Sequence, residues 1–402
     1  MPENHPVDVL VVGGGIIGLS IAWRLRGAGS TVMVLERGHT GEGTSRVAAG
    51  MLAPIAEVEF GEVGRRILEL GLRSAELWAG FAEQLAQESG IDVDLLATGT
   101  LLLARDADEA AELERLLAFR QSLGLRVERL RPSRARELEP ALAPTLRLAL
   151  EVPDDHSIDP RTVLDALRSA CLNVGVTLRE DAPVAAVELS ADELRVSGLL
   201  LESSERLAAK QVVLAAGPWT SAIEGLPVHA RVPVRPVKGQ ILRLRDPEGP
   251  GLISRVLRFE GGYLLPRGDG RYVLGATMEE RGFELAPTAG GVYELLREAR
   301  ELIPGVSELE IEEISVGLRP STPDNAPAIG RGALDGLIWA TGHHRNGILL
   351  APLTAELVAG LVEPSRRRED QAELLAACDP LRFAAAHGTA RELEAGAVEV
   401  TA

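Results

Sequence analysis

Two apolar runs near the amino end stop on special residues: Val7-Asp8-Val9-Leu10-Val11-Val12 runs into Gly13-Gly14-Gly15-Ile16-Ile17-Gly18, and Thr31-Val32-Met33-Val34-Leu35 ends on Glu36. The pattern predicts a strand over 9–12, a glycine turn, a helix over 16–27 and a second strand over 31–35. In that order the glycines have distinct mechanical uses. Gly13 permits the tight turn, Gly15 lets backbone approach a pyrophosphate, and Gly18 lets the helix pack on the strand. The helix start offers free N–H groups and the positive end of its dipole to phosphates, and Glu36 is placed to accept from a ribose diol. A lone glycine motif is weak; strand, helix, second strand and terminal acid together make a dinucleotide-binding unit.

Further along, 62–89 carries Ile67, Leu70, Leu77 and Phe81 at helical spacing. A strand over 99–104, a helix over 108–123 and a strand near 125–130 follow. Asp159 as N-cap and Pro160 at the first helical position predict a helix over 159–174. Strands are expected over 177–179, 184–189, 194–201 and 211–215, the last running through Ala215-Ala216 to Gly217, small enough to let backbone approach a cofactor. Beyond Val232 the pattern is strand and hairpin as far as Met278. A last strand over 337–340 enters Thr341-Gly342-His343-His344-Arg345-Asn346-Gly347 and a helix over 348–361. Two strand–glycine loop–helix units so far apart imply a discontinuous cofactor domain with substrate-domain segments inserted. The fold class is therefore α/β: a Rossmann-like domain over 1–90, 151–225 and 316–383, and an α+β substrate domain on an antiparallel sheet over 91–150 and 226–315. A tail over 384–402 is expected to be disordered.

Within the hairpin region, Asp269-Gly270 is a two-residue turn signal. Centred there, the hairpin would pair Tyr263 with Ala276 and set Met278 diagonally beside Tyr263 on the same face. A phenol and a thioether make a wall for a small substrate, although core packing is the commoner explanation of such a pair taken alone. Arg319, in Gly317-Leu318-Arg319-Pro320, could fork onto a carboxylate. In a chain with 42 Lys and Arg, a surface arginine or a structural ion pair is the commoner explanation of any single one.

Composition narrows the class. At 402 residues the chain is long enough for two domains or one large intertwined pair, and 46% apolar residues with 42 glycines fit a soluble α/β enzyme with many turns. The net charge of −17 argues against nucleic acid and anionic membrane surfaces. Cys171 and Cys378 sit in apolar or helical contexts and are expected to be buried thiols. No basic segment precedes the first apolar run and no stretch is long enough to span a bilayer, so the expected location is cytoplasmic. No HxxxH, HExxH, GxSxG, Walker lysine or CxxC occurs, so no metal is expected; Asp154-Asp155-His156 is most simply a polar loop.

The glycine turn, Thr44-Ser45, Ala48-Ala49-Gly50-Met51-Leu52, Pro236-Val237-Lys238-Gly239-Gln240, Gly275-Ala276-Thr277-Met278, Gly317-Leu318-Arg319-Pro320 and the run from Gly342 to Leu350 together resemble the D-amino acid oxidase superfamily of FAD-dependent oxidoreductases. The resemblance extends from Val9 to about Phe383 and is strongest to the branch acting on glycine and other small amino acids. It implies FAD, held non-covalently, since no cysteine stands near Gly317 where related sarcosine oxidases tether their flavin. Gly13, Gly15, Ile16, Ile17 and Gly18 would serve the pyrophosphate turn, Glu36 and Arg37 the adenosine ribose, Thr44 and Ser45 the phosphates, and Val184 the adenine. Ala49, Gly50, Met51 and Gly217 would lie against the cofactor, and His344, Arg345, Asn346, Gly347, Ile348, Leu349 and Leu350 would wrap the flavin ring. Arg319 would take the substrate carboxylate, Tyr263 would hydrogen-bond it, and Met278, Met51 and Arg345 would complete the pocket. Implied partners are a small amino acid, O2, a thiazole synthase receiving glycine imine in trans for thiamine, and further copies of the chain in a homo-oligomer. A D-amino acid dehydrogenase or sarcosine oxidase of the same fold, or a flavoprotein subunit without turnover, are the alternatives.

Overall fold

A computed structural model describes residues 7–249 and 251–384; apart from Ala384, the expected disordered tail lies outside the described residues. Val7–Val12 forms a strand flanked in parallel by Val32–Leu35 and by Arg206–Leu214, with Val9 opposite both Val32 and Gln211. Thr177–Arg179 continues the sheet beyond Val32–Leu35, and Leu337–Thr341 continues it beyond Arg206–Leu214, both in parallel. Parallel strands covered on both faces read as unbroken apolar runs, which is why this sheet is visible in the sequence. Arg206–Leu214 starts earlier than the expected 211, because its first half is one edge of an antiparallel meander with Val184–Leu189 and Val196–Leu201. There its residues alternate between exposed and buried, and only its second half is buried continuously.

The helices Ile16–Arg26, Gly61–Ser89, Pro160–Asn173 and Gly347–Val362 pack as one layer on this sheet, around a core that includes Leu19, Trp78, Leu167 and Leu353. Asp159 caps its helix as expected, accepting from Arg161 N at 3.0 Å. Both cysteines are buried and unpaired, so the chain carries no Cys171–Cys378 disulfide.

A second eight-stranded sheet combines Thr100–Ala104, Leu148–Val152 and Glu128–Leu130 with Val256–Phe259, Gly262–Pro266, Arg271–Gly275, Arg235–Arg245 and Glu310–Ser321. Its pairings are antiparallel except between Val256–Phe259 and Thr100–Ala104. The expected domain boundaries at 150/151 and 315/316 fall inside two of these strands. Helices Pro132–Leu138 and Ala289–Leu302 were not expected. Nor was the burial of Asp155: the supposed polar loop feeds the strand His156–Ile158, which joins Met51–Leu52 and Leu95–Leu96 in a small sheet.

The hairpin register is corrected by one residue. Gly268 and Gly270 both adopt positive φ, 83° and 86°, so the turn takes three residues instead of two. Pro266 then faces Tyr272 and Tyr263 faces Gly275, not Ala276. The strand ends at Gly275, so Met278 lies beyond it on an irregular segment and is 61% exposed.

Candidate active site

A cavity of about 1550 Å³ runs between the two sheets, from Glu36 and Arg37 at one end to Tyr263 and Arg319 at the other. Its first end is the glycine turn. Gly13 N donates to Leu35 O at 2.8 Å, and the Glu36 carboxylate accepts from Gly14 N at 2.7 Å and Gly38 N at 3.1 Å. A carboxylate has roughly four acceptor positions, so two remain for a diol. Ile16 N donates to Ser45 Oγ at 3.1 Å, and the helix start at Gly15 carries no side-chain cap. Thr44 Oγ1 donates to Leu318 O at 2.8 Å, tying this end to the strand that carries Arg319. Arg37 lies 3.7 Å over the Trp219 ring, which stacks on Phe283.

The middle of the cavity is walled by Ala49, Gly50 and Met51. Arg267 supports that wall from behind, its guanidinium donating to Ala49 O at 2.7 Å and Ile158 O at 3.0 Å. Opposite stand Gly217, His343, His344 and the start of the helix Gly347–Val362, again without a side-chain cap. Burial pushes both histidines down to about 3, helped at His344 by Arg345 and Arg319, so each imidazole is neutral. His343 Nε2 bonds Thr354 Oγ1 at 3.0 Å, and His344 Nδ1 bonds Ser321 Oγ at 2.5 Å.

At the far end Arg319 lies across from Val237 in the second sheet. Its Nη1 donates to Thr277 O at 3.1 Å and Lys238 O at 3.4 Å, and among the described residues no carboxylate pairs with it. A Cβ on Gly239 would stand 2.5 Å from that guanidinium, which explains the glycine between Lys238 and Gln240. Burial lowers the Arg319 pKa while Tyr263 and Glu57 oppose the shift. Tyr263 is pushed up to about 12 by burial, so it stays a phenol and a donor. Lys238 and Gln240 anchor the segment bearing Met278: Lys238 Nζ donates to Ala286 O at 2.7 Å, and Gln240 Nε2 to Glu279 at 2.7 Å and Thr288 at 2.9 Å.

Of the residues singled out in the sequence, Gly13, Gly15, Ile16, Ile17, Glu36, Arg37, Thr44, Ser45, Ala49, Gly50, Met51, Val184, Gly217, Tyr263, Met278, Arg319, His344, Arg345, Gly347 and Ile348 line this cavity. Gly18, Asn346, Leu349 and Leu350 do not. A Cβ on Gly18 would lie 1.9 Å from Gly13 O, so its task is helix packing. Leu349 and Leu350 turn into the helical core, as helix geometry requires of residues beyond the first cavity-facing turn. Arg345 is not a free cation, being paired with Glu57 at 3.2 Å and Glu59 at 2.6 Å. Glu57, Arg258 and Arg267 carry no signal in the local sequence because their partners lie far along the chain; Arg258 meets Glu57 at 2.8 Å across 201 residues.

A long cavity that begins on a Rossmann-type glycine turn and ends on an arginine without a carboxylate partner among the described residues and a phenol is that of a dinucleotide-dependent oxidoreductase. The profile of the family described as "FAD dependent oxidoreductase" matches residues 8–361. The glycine oxidase of Geobacillus kaustophilus is 36% identical over 90% of this chain and 94% of its own length. The crystal structure of glycine oxidase from that organism superposes with a TM-score of 0.83 at 35% identity, covering 90% of this chain and 95% of the other. A bifunctional protein ThiO/ThiG of Synechocystis is 36% identical over 94% of this chain, which spans 54% of that longer protein. The chain belongs to the FAD-dependent oxidoreductase family, among the FAD-dependent amino acid oxidases that include these glycine oxidases.

The cavity suits FAD: it is long, it receives two uncapped helix starts, and Gly15 opens onto it with only Ser45 Oγ near a would-be Cβ, at 3.2 Å. No helix among the described residues is long and apolar enough to cross a membrane.

Proposed function

We propose that this chain oxidises glycine and other small amino acids, sarcosine and D-alanine among them, to the imine. The observation that carries the reading is Arg319, a half-buried cation open to the cavity, with no carboxylate partner among the described residues and with the Tyr263 phenol nearby. Its unused N–H groups would fork onto a substrate carboxylate while Tyr263 donates a further hydrogen bond. Held at that end, the substrate presents its α-carbon toward the middle of the cavity, where Met51 and Ala49 form the wall.

Gly13, Gly15, Ile16, Ser45 and Glu36 would hold the dinucleotide part of FAD, and Ala49–Met51 with His344, Arg345, Gly347 and Ile348 the ring, without a covalent link. When bound, FAD supplies the acceptor for the hydride leaving the α-carbon and passes the two electrons to O2 as hydrogen peroxide. The neutral amine is the reacting form, and the side chains supply orientation and charge, not proton abstraction. His343 and His344 at about 3 and Tyr263 at about 12 are poor bases near neutrality, and Glu57 is held in ion pairs. Water then converts the imine to glyoxylate and ammonia. The match to one part of a bifunctional ThiO/ThiG protein supports delivery of glycine imine in trans to a thiazole synthase for thiamine.

The test is anaerobic mixing of the yellow protein with glycine, sarcosine and D-alanine, followed at the flavin absorbance band, then admission of oxygen. Bleaching by glycine and peroxide on reoxidation are the expected results. Bleaching without rapid reoxidation would assign a dehydrogenase, and no bleaching by any of the three would refute the reading.

A further inference from the structure

Beside Arg319 the cavity holds two further arginines, Arg258 and Arg345, already occupied from within the chain. Arg258 is the direct cross-strand neighbour of Tyr263, so the two side chains share a face with Cβ atoms roughly 5 Å apart. Arg258 Nη1 meets Glu57 Oε1 at 2.8 Å, and Arg345 Nε meets the other oxygen, Oε2, at 3.2 Å. Arg345 is also bound to Glu59, at 2.6 Å. All but Glu59 line the same cavity as Arg319 and Tyr263.

Glu57 is held there by its backbone. Asp155 accepts from Ile55 N at 3.1 Å and Ala56 N at 2.6 Å, while Arg120 donates to Ile55 O at 2.8 Å and Ala56 O at 2.7 Å. Asp155 and Arg120 are both buried, so the residues just before Glu57 are gripped from two sides. The Glu57 side chain is 11% exposed.

Resting on the amino acid oxidase reading above, we propose that Glu57 is a specificity residue. It is a built-in counter-anion between Arg258 and Arg345, and it restricts the pocket to substrates with a single carboxylate. The charge count carries this. Arg258, Arg345 and Arg319 bring three positive charges; Glu57 inside the cavity and Glu59, bound to Arg345 at its exposed margin, bring two negative ones, leaving a surplus that one carboxylate on Arg319 satisfies. A second substrate carboxylate would face arginines already neutralised and would be buried uncompensated, which is costly in an enclosed site.

D-Alanine and D-aspartate differ by that one carboxylate. Glu57→Gln keeps the shape and an acceptor for the arginines but removes the charge, so kcat/KM for D-aspartate relative to D-alanine should rise about tenfold or more. An unchanged ratio in a Glu57→Gln enzyme that retains FAD would overturn the proposal. Wild-type holoenzyme gives a second test without a variant, through titration with acetate and with malonate dianion followed by perturbation of the flavin spectrum. Acetate should bind at least about tenfold more tightly; malonate binding as well as acetate, or no acetate binding, would overturn it. If the wild type oxidises neither glycine nor D-alanine, the proposed activity fails, whereas the acetate–malonate comparison still decides the charge count.

Discussion

Ser74 and Leu349, 275 residues apart, join two helices at the edge of the cavity: Ser74 Oγ donates to Leu349 O at 2.6 Å, and Trp78 Nε1 donates to the same carbonyl at 2.9 Å. The helix Gly347–Val362 needs such help because it contains Pro352, which has no N–H to give and crowds the preceding turn. Ser74 Oγ also accepts from Leu353 N at 3.4 Å. The turn secured this way carries Gly347 and Ile348, which face the cavity. Ser74→Ala should therefore cost about 1 to 2 kcal/mol of stability and weaken FAD retention. Urea unfolding of the holoprotein checks it, and an unchanged midpoint would contradict the clamp.

Arg319 is the residue on which the proposed chemistry depends. Arg319→Ala should retain FAD and fold normally but lose about 100-fold or more in kcat/KM for glycine. Arg319→Lys should recover only part of the loss, since an ammonium cannot fork onto two oxygens. Gly239→Ala approaches the same contact from the other side, because the added methyl stands 2.5 Å from the guanidinium; its KM for glycine should rise. Steady-state kinetics with flavin content measured in parallel decides all three, and full activity in Arg319→Ala would remove the arginine from the mechanism.

Gly15 and Gly18 share one motif yet should fail differently. A methyl on Gly18 would lie 1.9 Å from Gly13 O, a backbone atom that cannot step aside, whereas one on Gly15 meets only Ser45 Oγ at 3.2 Å. Gly18→Ala should give insoluble or strongly destabilised protein, losing several kcal/mol. Gly15→Ala should fold and show its defect as weakened FAD binding. Circular dichroism and flavin titration of the two variants separate these outcomes, and a well-folded, flavin-replete Gly18→Ala would contradict the packing role.

His343 and His344 make stability depend on pH. Both fall to about 3 in the folded state through burial, against an ordinary 6.5. Above 6.5 neither state binds the proton. As the pH falls below 6.5, the unfolded chain takes up protons that the folded protein refuses until about 3, so stability is lost in that window. The slope is at most about 1.4 kcal/mol per pH unit for each histidine. Asp155, pushed up to about 7 by burial, acts with the opposite sign and offsets one of them between its ordinary value and 7. His343→Gln should flatten the stability profile between about pH 7 and about pH 5 by roughly one proton. Denaturant unfolding at the two pH values tests it; identical slopes in variant and wild type would exclude the histidine.

The first parallel strands and their glycine turn were legible because a strand buried on both faces is a solid apolar run and because glycine, helix start and terminal acid lie within one short stretch of chain. The same locality makes Gly13 and Glu36 stand out in the sequence, since both lie in one strand–turn–helix–strand stretch. The hairpin register differs by one residue from the expected one because Gly268 and Gly270 both take positive φ, and no periodicity distinguishes a two-residue from a three-residue turn there. The burial of Asp155 leaves no mark in its own stretch of sequence, because it depends on partners, Ile55 N and Ala56 N, about 100 residues earlier in the chain.

By itself, the sequence determined the cofactor-binding unit, the fold class and the family, all of which rest on contiguous patterns of residues. Tertiary structure alone decided which arginine is open to the cavity. Arg258 and Arg345 are paired with Glu57 and Glu59, and Arg319 is left without a carboxylate among the described residues. Charge pairing falls off within a few ångströms, and only the fold brings residues some two hundred positions apart within that reach.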